Sequence, residues 1–330
     1  MKLHPIFQSH MVLPANKPIR IYGEGQGTVT VRFAGQEKTA VFDTDTWTMH
    51  FDPMAHGGPY TVEVSLNDET LLLDDIYVGE VILFSGQSNM AFQMCESNTR
   101  EERYRSNDKL RIYQANTDGS VSGWSVCQKE DVATISALAY LVSDEITEQK
   151  NIAVGAIICC QGASVIESWV PEKSFEPLGV SIPIEDNIRD HDPSYHAWNM
   201  DGRLYHNALS NVIPYPLSAV VWYQGESDAS DEEGKVYLEE LCTLIDIWRK
   251  DFCDENLFFA IVQIADFDAE MAKDWGTIGW KLVQKAQAEA ANKRPFVKTV
   301  ISADICETDN IHPPTKDKLA KRIVKALENI

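Results

Sequence analysis

Positive charge is scarce in this chain. Lys and Arg number 29 against 50 Asp and Glu, a formal charge of −21 over 330 residues. Phosphate recognition draws on clustered cations, so the balance excludes a nucleic-acid partner. It favours a neutral or small substrate over a polyanion. Long apolar runs are also missing. The longest, such as Leu257-Phe-Phe-Ala-Ile-Val262, fall far short of the roughly 20 residues a membrane-spanning helix needs, so no membrane partner is expected. Repeats and low-complexity tracts are absent, and 44% hydrophobic with 24% charged residues excludes a disordered chain. The seven cysteines are odd in number and irregularly spaced, with Cys159 and Cys160 adjacent, which suits buried reduced thiols better than a disulfide framework. Neither of that pair stands beside a cation that would make it nucleophilic. The opening Met1-Lys-Leu-His-Pro-Ile-Phe-Gln8 has no apolar leader core, which predicts a cytoplasmic location, with a trimmed secreted chain as the alternative.

What is present divides the chain in two. Up to about residue 76, short alternating segments (Pro18–Tyr22, Thr28–Phe33, Lys38–Phe42, Thr46–Phe51, Tyr60–Ser65) are punctuated by glycines and no helix intervenes. That pattern predicts a small antiparallel β-sandwich domain over 1–76. From 77 to 330 the rhythm becomes strand then helix. Strands are expected at Val81–Phe84, Leu110–Tyr113, Ala153–Ile158, Ala219–Tyr223, Phe258–Ile264 and Val297–Ser302. Helices are expected at Ile135–Glu148, Leu204–Val212, Glu232–Lys250, Ile278–Asn292 and Thr315–Glu328. This is an α/β pattern, a parallel sheet covered by helices, and such sheets bind ligands beyond the carboxyl ends of their strands. The least regular stretch, Val170–Trp198, is rich in proline and reads as a functional loop at a substrate entrance.

Val81-Ile-Leu-Phe-Ser-Gly-Gln-Ser-Asn-Met90 organises the second region. A buried strand stops at Gly86 and delivers Ser88 to a helix start, where free backbone N–H groups favour negative charge. A serine so placed is a candidate nucleophile, although Ser and Asn are also ordinary caps. It needs a base, a carboxylate to orient that base, and donors for an oxyanion. Asp309-Asn-Ile-His312-Pro-Pro supplies Asp and His three apart on a tight turn, so His312 can serve as base and Asp309 as its orienter; a plain helix-entry loop is the competing reading. Gly162, after the strand ending near Ile158, can offer its N–H to an oxyanion together with that of Ser88. Gln224, in Trp222-Tyr-Gln-Gly-Glu-Ser-Asp228, is a further donor candidate. Glu226 either supports the loop or competes with Asp309 for His312, unless it is simply a buried carboxylate satisfied by backbone.

These motifs, in this order, resemble the sialate O-acetylesterase family of SGNH (GDSL-like) hydrolases. Ser9-His-Met-Val-Leu13, Lys17-Pro-Ile-Arg20 and Gly58-Pro-Tyr60 extend the likeness to the N-terminal region. The resemblance implies a three-layer α/β/α hydrolase domain that acts on acetyl esters of sugars, most naturally sialic acids, with xylan or other acetylated carbohydrates as the alternative. It implies Ser88, His312 and Asp309 as catalytic residues and Ser88, Gly162 and Gln224 as the oxyanion hole. Gln87, Asn89, Glu226 and Trp169 would support the site or touch substrate. Gln224 stands where the wider group carries Asn, and Gln161-Gly162 replaces a common Gly-Gly pair. No metal or organic cofactor is implied.

Two other readings compete. A metal hydrolase could be assembled from Asp190, His191, Asp192, His196 and His206, but their spacing matches no compact zinc pattern and Pro193 interrupts any helix. A non-catalytic carbohydrate-binding protein could present Trp124, Trp169, Trp198 and Trp275 to sugars. Such a module has no use for Ser88, Gln224, Asp309 and His312 together. Glu289 and Lys293 read as part of a solvated helix face.

Overall fold

The computed structural model describes residues 2–120, 123–179, 197–268, 277–328 and 330. Its first strands are β1 (Lys2–Leu3), β2 (Val12–Pro14), β3 (Ile19–Glu24), β4 (Gly27–Phe33), β5 (Gln36–Phe42), β6 (Thr46–Phe51) and β7 (Gly57–Leu66). Alternation decides which way their side chains point: Val29, Val31 and Phe33 of β4 and Trp47, Met49 and Phe51 of β6 are buried while their neighbours face water. β1, β3 and β6 form one antiparallel sheet, and β5, β4 and β7 belong to another. The two meet where Phe33 packs edge-on against Phe51, with ring centroids 5.9 Å apart.

The 18-residue β8 (Glu69–Gly86) ties this region to the rest. Its outer half pairs antiparallel with β7, and its inner half lies parallel between β11 (Val154–Cys160) and β12 (Ala219–Tyr223). Residues 78–86 are all buried, as expected of a strand covered on both faces. The division expected at 76/77 therefore falls inside one continuous strand rather than in a linker. Side chains reinforce the connection. Lys17 Nζ donates to Leu217 O at 2.8 Å and to Asp254 at 2.7 Å, Arg20 reaches Pro214 O and Phe252 O, and Tyr215 donates to Val12 O at 2.7 Å.

The inner sheet continues through β9 (Asn107–Gln114), the antiparallel β10 (Trp124–Cys127), β13 (Phe258–Val262) and β14 (Val297–Val300), in the order β10-β9-β11-β8-β12-β13-β14. The expected parallel strands are present. β10, β1, β2 and the outer half of β8 were not anticipated, being short or irregular in pattern. Among the described residues the α-helices are α1 (Ser88–Ala91), α2 (Ala137–Lys150), α3 (Arg203–Asn207), α4 (Tyr237–Asp251), α5 (Thr277–Lys293) and α6 (Lys316–Ala326). α2 packs on α6 and α4 on α5, so the helices cover the sheet as two pairs. The expected 232–250 helix starts late, because Glu233–Lys235 forms a 3₁₀ turn before α4. Of the Val170–Trp198 loop, 180–196 lies outside the described residues. Among the described residues no helix is long and apolar enough to cross a membrane.

Candidate active site

The turn after β8 is built around one glycine. Gly86 has φ +134°, and a Cβ there would stand 2.0 Å from Tyr223 O, so only glycine fits. Gln87 N then donates to Tyr223 O at 2.9 Å, and Gln161 N donates to Gly86 O at 3.0 Å, stitching the turn to the ends of β12 and β11. The side chain of Gln87 turns away from solvent and accepts from Gly225 N and Ser227 N at 3.1 and 3.3 Å. Ser88 follows as the first residue of α1, partly exposed between two stapled neighbours.

Across the rim, His312 Nε2 lies 2.7 Å from Ser88 Oγ. These residues are 224 positions apart in sequence. The imidazole is half-buried with its ring 6.4 Å from that of Phe92. Its pKa is lowered, first by burial, then by the Lys316 ammonium, with Glu96 opposing. Both influences favour the neutral ring that can accept a proton. Asp309 is exposed and makes no hydrogen bond or ion pair with His312 among the described residues. The loop is instead shaped by Asn310, whose Oδ1 accepts from His312 N at 2.8 Å. Nδ1 of the imidazole has no hydrogen-bond partner among the described residues.

The structure brings Gly162 to the nucleophile: a Cβ placed on it would sit 3.7 Å from Ser88 Cβ. Neither Ser88 N nor Gly162 N has an acceptor among the described residues, so both amide hydrogens remain uncommitted beside the nucleophile candidate. Gln224 does not join them. It is 0% exposed; its Nε2 donates to Ser164 O at 2.9 Å and to Asp228 Oδ2, and its Oε1 accepts from Tyr237 Oη at 2.8 Å. Both amide hydrogens are thus committed, which corrects the expectation of a side-chain oxyanion donor. Its role is to hold the Gly162–Ser164 loop against β12 and α4. Asp228, its partner, also accepts from Ile166 N at 3.2 Å, and burial drives its pKa upward.

Asn89 and Glu226 also point inward. Asn89 Nδ2 donates to Glu226 Oε1 at 2.6 Å and to Ile311 O at 2.9 Å, and its Oδ1 accepts from Lys316 Nζ at 2.7 Å. Glu226 is buried with a raised pKa, mainly from burial, and like Asp309 it makes no hydrogen bond or ion pair with His312 among the described residues. Lys316 escaped the sequence reading. The one signal available was a lysine opening a helix, where the macrodipole disfavours a cation.

Trp169, expected to support the site or touch substrate, is a pillar of the core. It is fully buried, donates to Ser164 Oγ at 3.0 Å and packs edge-on against Trp222. Trp124 is likewise buried and donates to Ile6 O, Trp198 is partly exposed, and Trp275 lies outside the described residues. Of the alternative metal ligands, His206 pairs with Glu172 at 2.6 Å, and Asp190, His191, Asp192 and His196 lie outside the described residues. Among the described residues no three His, Cys, Asp or Glu side chains gather where they could hold a metal. All seven cysteines are free; Cys95 and Cys253 are exposed rather than buried, and burial raises the Cys160 thiol to about 12. Lys285 and Glu289 pair at 3.6 Å along the exposed face of α5.

Residues 78–328 match the family described as SASA, carbohydrate esterase, sialic acid-specific acetylesterase. The sialate O-acetylesterase of Homo sapiens is 27% identical, aligned over 94% of this chain and 66% of that protein, so the chain spans just under two thirds of this relative's length. The sialate O-acetylesterase of Mus musculus is 25% identical over 96% of this chain and 70% of its own. Among solved structures, XAC1771, a carbohydrate acetylesterase from Xanthomonas citri, superposes with a TM-score of 0.84 at 24% identity, covering 98% of this chain and 74% of that one. NanS superposes with a TM-score of 0.51 at 11% identity, over 76% of this chain and 96% of its own. These superpositions establish a shared mixed α/β fold.

Proposed function

Since this chain belongs to the carbohydrate esterase family of sialic acid-specific acetylesterases, a family of carboxylic ester hydrolases, we propose that it removes O-acetyl groups from acetylated sugars, sialic acids first among them. The observation that carries this reading is the 2.7 Å separation of His312 Nε2 from Ser88 Oγ at the carboxyl edge of the parallel sheet. Ser88 Oγ attacks the acetyl carbonyl as His312 takes its proton, and the carbonyl oxygen becomes an oxyanion held by the amides of Ser88 and Gly162. Collapse breaks the bond to the sugar oxygen, which leaves with the proton from His312. Water then attacks the acetyl-enzyme with His312 again as base, releasing acetate and restoring Ser88. The atoms balance without a cofactor.

Asp309 completes the triad in this reading by turning toward His312 Nδ1 when substrate tightens the loop. Its support is the three-residue spacing and an Nδ1 with no other partner among the described residues. The first 76 residues form the antiparallel sandwich unit, fused to a three-layer hydrolase sheet through β8.

Ser88→Ala is the direct test. It should abolish hydrolysis of an aryl acetate while leaving the unfolding midpoint near that of the parent chain; retained turnover rejects the assignment. The sugar is decided by ranking kcat/KM over acetylated sialic acids, acetylated xylo-oligosaccharides and simple acetyl sugars. A preference for the xylan series would replace sialic acid as the substrate and leave the chemistry unchanged.

A further inference from the structure

Lys316 is the first residue of α6 and is 1% exposed, an unusual station for an ammonium. Its Nζ donates to Asn89 Oδ1 at 2.7 Å and lies over the rings of Phe92 and Tyr223, 4.6 and 5.6 Å from their centroids. Beyond Asn89 lies Glu226, whose Oε1 accepts from Asn89 and whose Oε2 is buried with no hydrogen-bond partner among the described residues. A cation and an anion are thus buried on either side of one amide, and that amide has a further contact. Asn89 Nδ2 holds the carbonyl of Ile311, the residue preceding His312, at 2.9 Å.

We infer that Lys316 is a positioning residue of the proposed esterase: through Asn89, with Glu226 as its counter-charge, it clamps the His312 loop onto the nucleophile turn. The geometry gives each partner a distinct part. Asn89 immediately follows Ser88, so the clamp joins the nucleophile's own turn to the base's own loop without passing through bulk solvent. A neutral partner in place of Lys316 would leave Asn89 Oδ1 without its donor and free the amide to rotate, loosening Ile311 O. The charge acts on the imidazole as well as on the amide. The groups facing His312 are Ser88 and Phe92 from the nucleophile turn, Glu96 from the 3₁₀ turn that follows, and Lys316 from α6. Those facing Lys316 are Glu226 and Tyr223 from the end of β12, Cys306 and Glu307 from the loop after β14, Glu96 and His312. Burial lowers the Lys316 pKa to about 8, so the ammonium is largely charged at neutral pH and opposes a second proton on His312.

The test compares the parent chain with Lys316→Met, Lys316→Arg and Glu226→Gln. Two readouts are taken: the acid limb of kcat/KM for an aryl acetate, and the imidazole pKa of His312 by NMR, its signal assigned from its loss in His312→Asn. Lys316→Met should lower kcat roughly 10- to 100-fold with KM little changed, because it loosens the geometry rather than the substrate contacts. It should also raise the His312 pKa by about half a unit or more, since a nearby cation is gone. Lys316→Arg retains the charge and should restore the pKa even where kcat recovers only partly. Glu226→Gln preserves an acceptor for Asn89 but removes the counter-charge that holds the buried ammonium, so part of the Lys316 charge is lost near neutral pH and the His312 pKa should move the same way, by less. An unchanged His312 pKa in Lys316→Met overturns the inference, as does a fall of the His312 pKa in Glu226→Gln. Should Lys316→Met fail to fold, Glu226→Gln still decides the sign. The NMR titration needs no turnover, so a parent chain inactive on every acetate would refute the esterase reading while this question is still answered.

Discussion

Replacing Gly86 by alanine tests the architecture of the nucleophile turn more sharply than removing the nucleophile does. The added Cβ would lie 2.0 Å from Tyr223 O, 1.4 Å short of the 3.4 Å at which ordinary contact begins, and its obstacle is backbone in the middle of the sheet. The residue must also hold φ +134°, a conformation that costs a non-glycine residue about 1–3 kcal/mol. If the turn retreats, the Gln87 N to Tyr223 O bond of 2.9 Å is lost, for another ~1–3 kcal/mol at a buried site. The expected loss of stability is roughly 2–6 kcal/mol, measured by urea unfolding with the parent chain alongside. A displacement of Ser88 by about 1 Å should cut kcat/KM for an aryl acetate about a hundredfold in the fraction that folds. Gly162→Ala is the control. Its φ is not positive and its Cβ would meet only Ser88 Cβ at 3.7 Å, so it should change stability by no more than ~0.5 kcal/mol. A Gly86→Ala chain as stable and active as the parent, or a Gly162→Ala chain equally destabilised, would refute the reasoning.

Gln224→Ala should destabilise by about 2–4 kcal/mol, because Asp228, Tyr237 and Ser164 O each lose a buried partner. If the variant instead unfolds at the parent's denaturant concentration but loses catalysis, Gln224 acts on the oxyanion after all. Asp309→Asn should leave the unfolding midpoint unchanged, the side chain being exposed, and reduce kcat by about a hundredfold or more if the carboxylate reaches Nδ1 during turnover. Rates within threefold of the parent, in a continuous aryl acetate assay, would mean that Ser88 and His312 work without it.

Local pattern alone was enough to find the strands that end at the candidate site. Apolar runs ending in glycine located the strand ends after Phe84 and Tyr223, because a strand buried on both faces admits little but Val, Ile, Leu and aromatics. The Ser88 and His312 candidates followed from residue type and position at those ends. Local pattern failed where function depends on what a side chain touches. Gln224 and Trp169 sit in motifs that look exposed to substrate, yet hydrogen bonds and ring contacts from distant elements draw both into the core.

Hydrophobic periodicity and turn chemistry are local properties, so the class of fold, the strand that delivers Ser88 and the candidate base are all legible in residue order. Long-range packing sets the rest: residues 224 positions apart meet at 2.7 Å, Gln224 commits its amide to Ser164 O and Asp228, and Lys316 is buried beneath the site. Each of those outcomes depends on strand order, which brings the ends of β8, β11 and β12 side by side, and on desolvation, which no single segment of the chain sets alone.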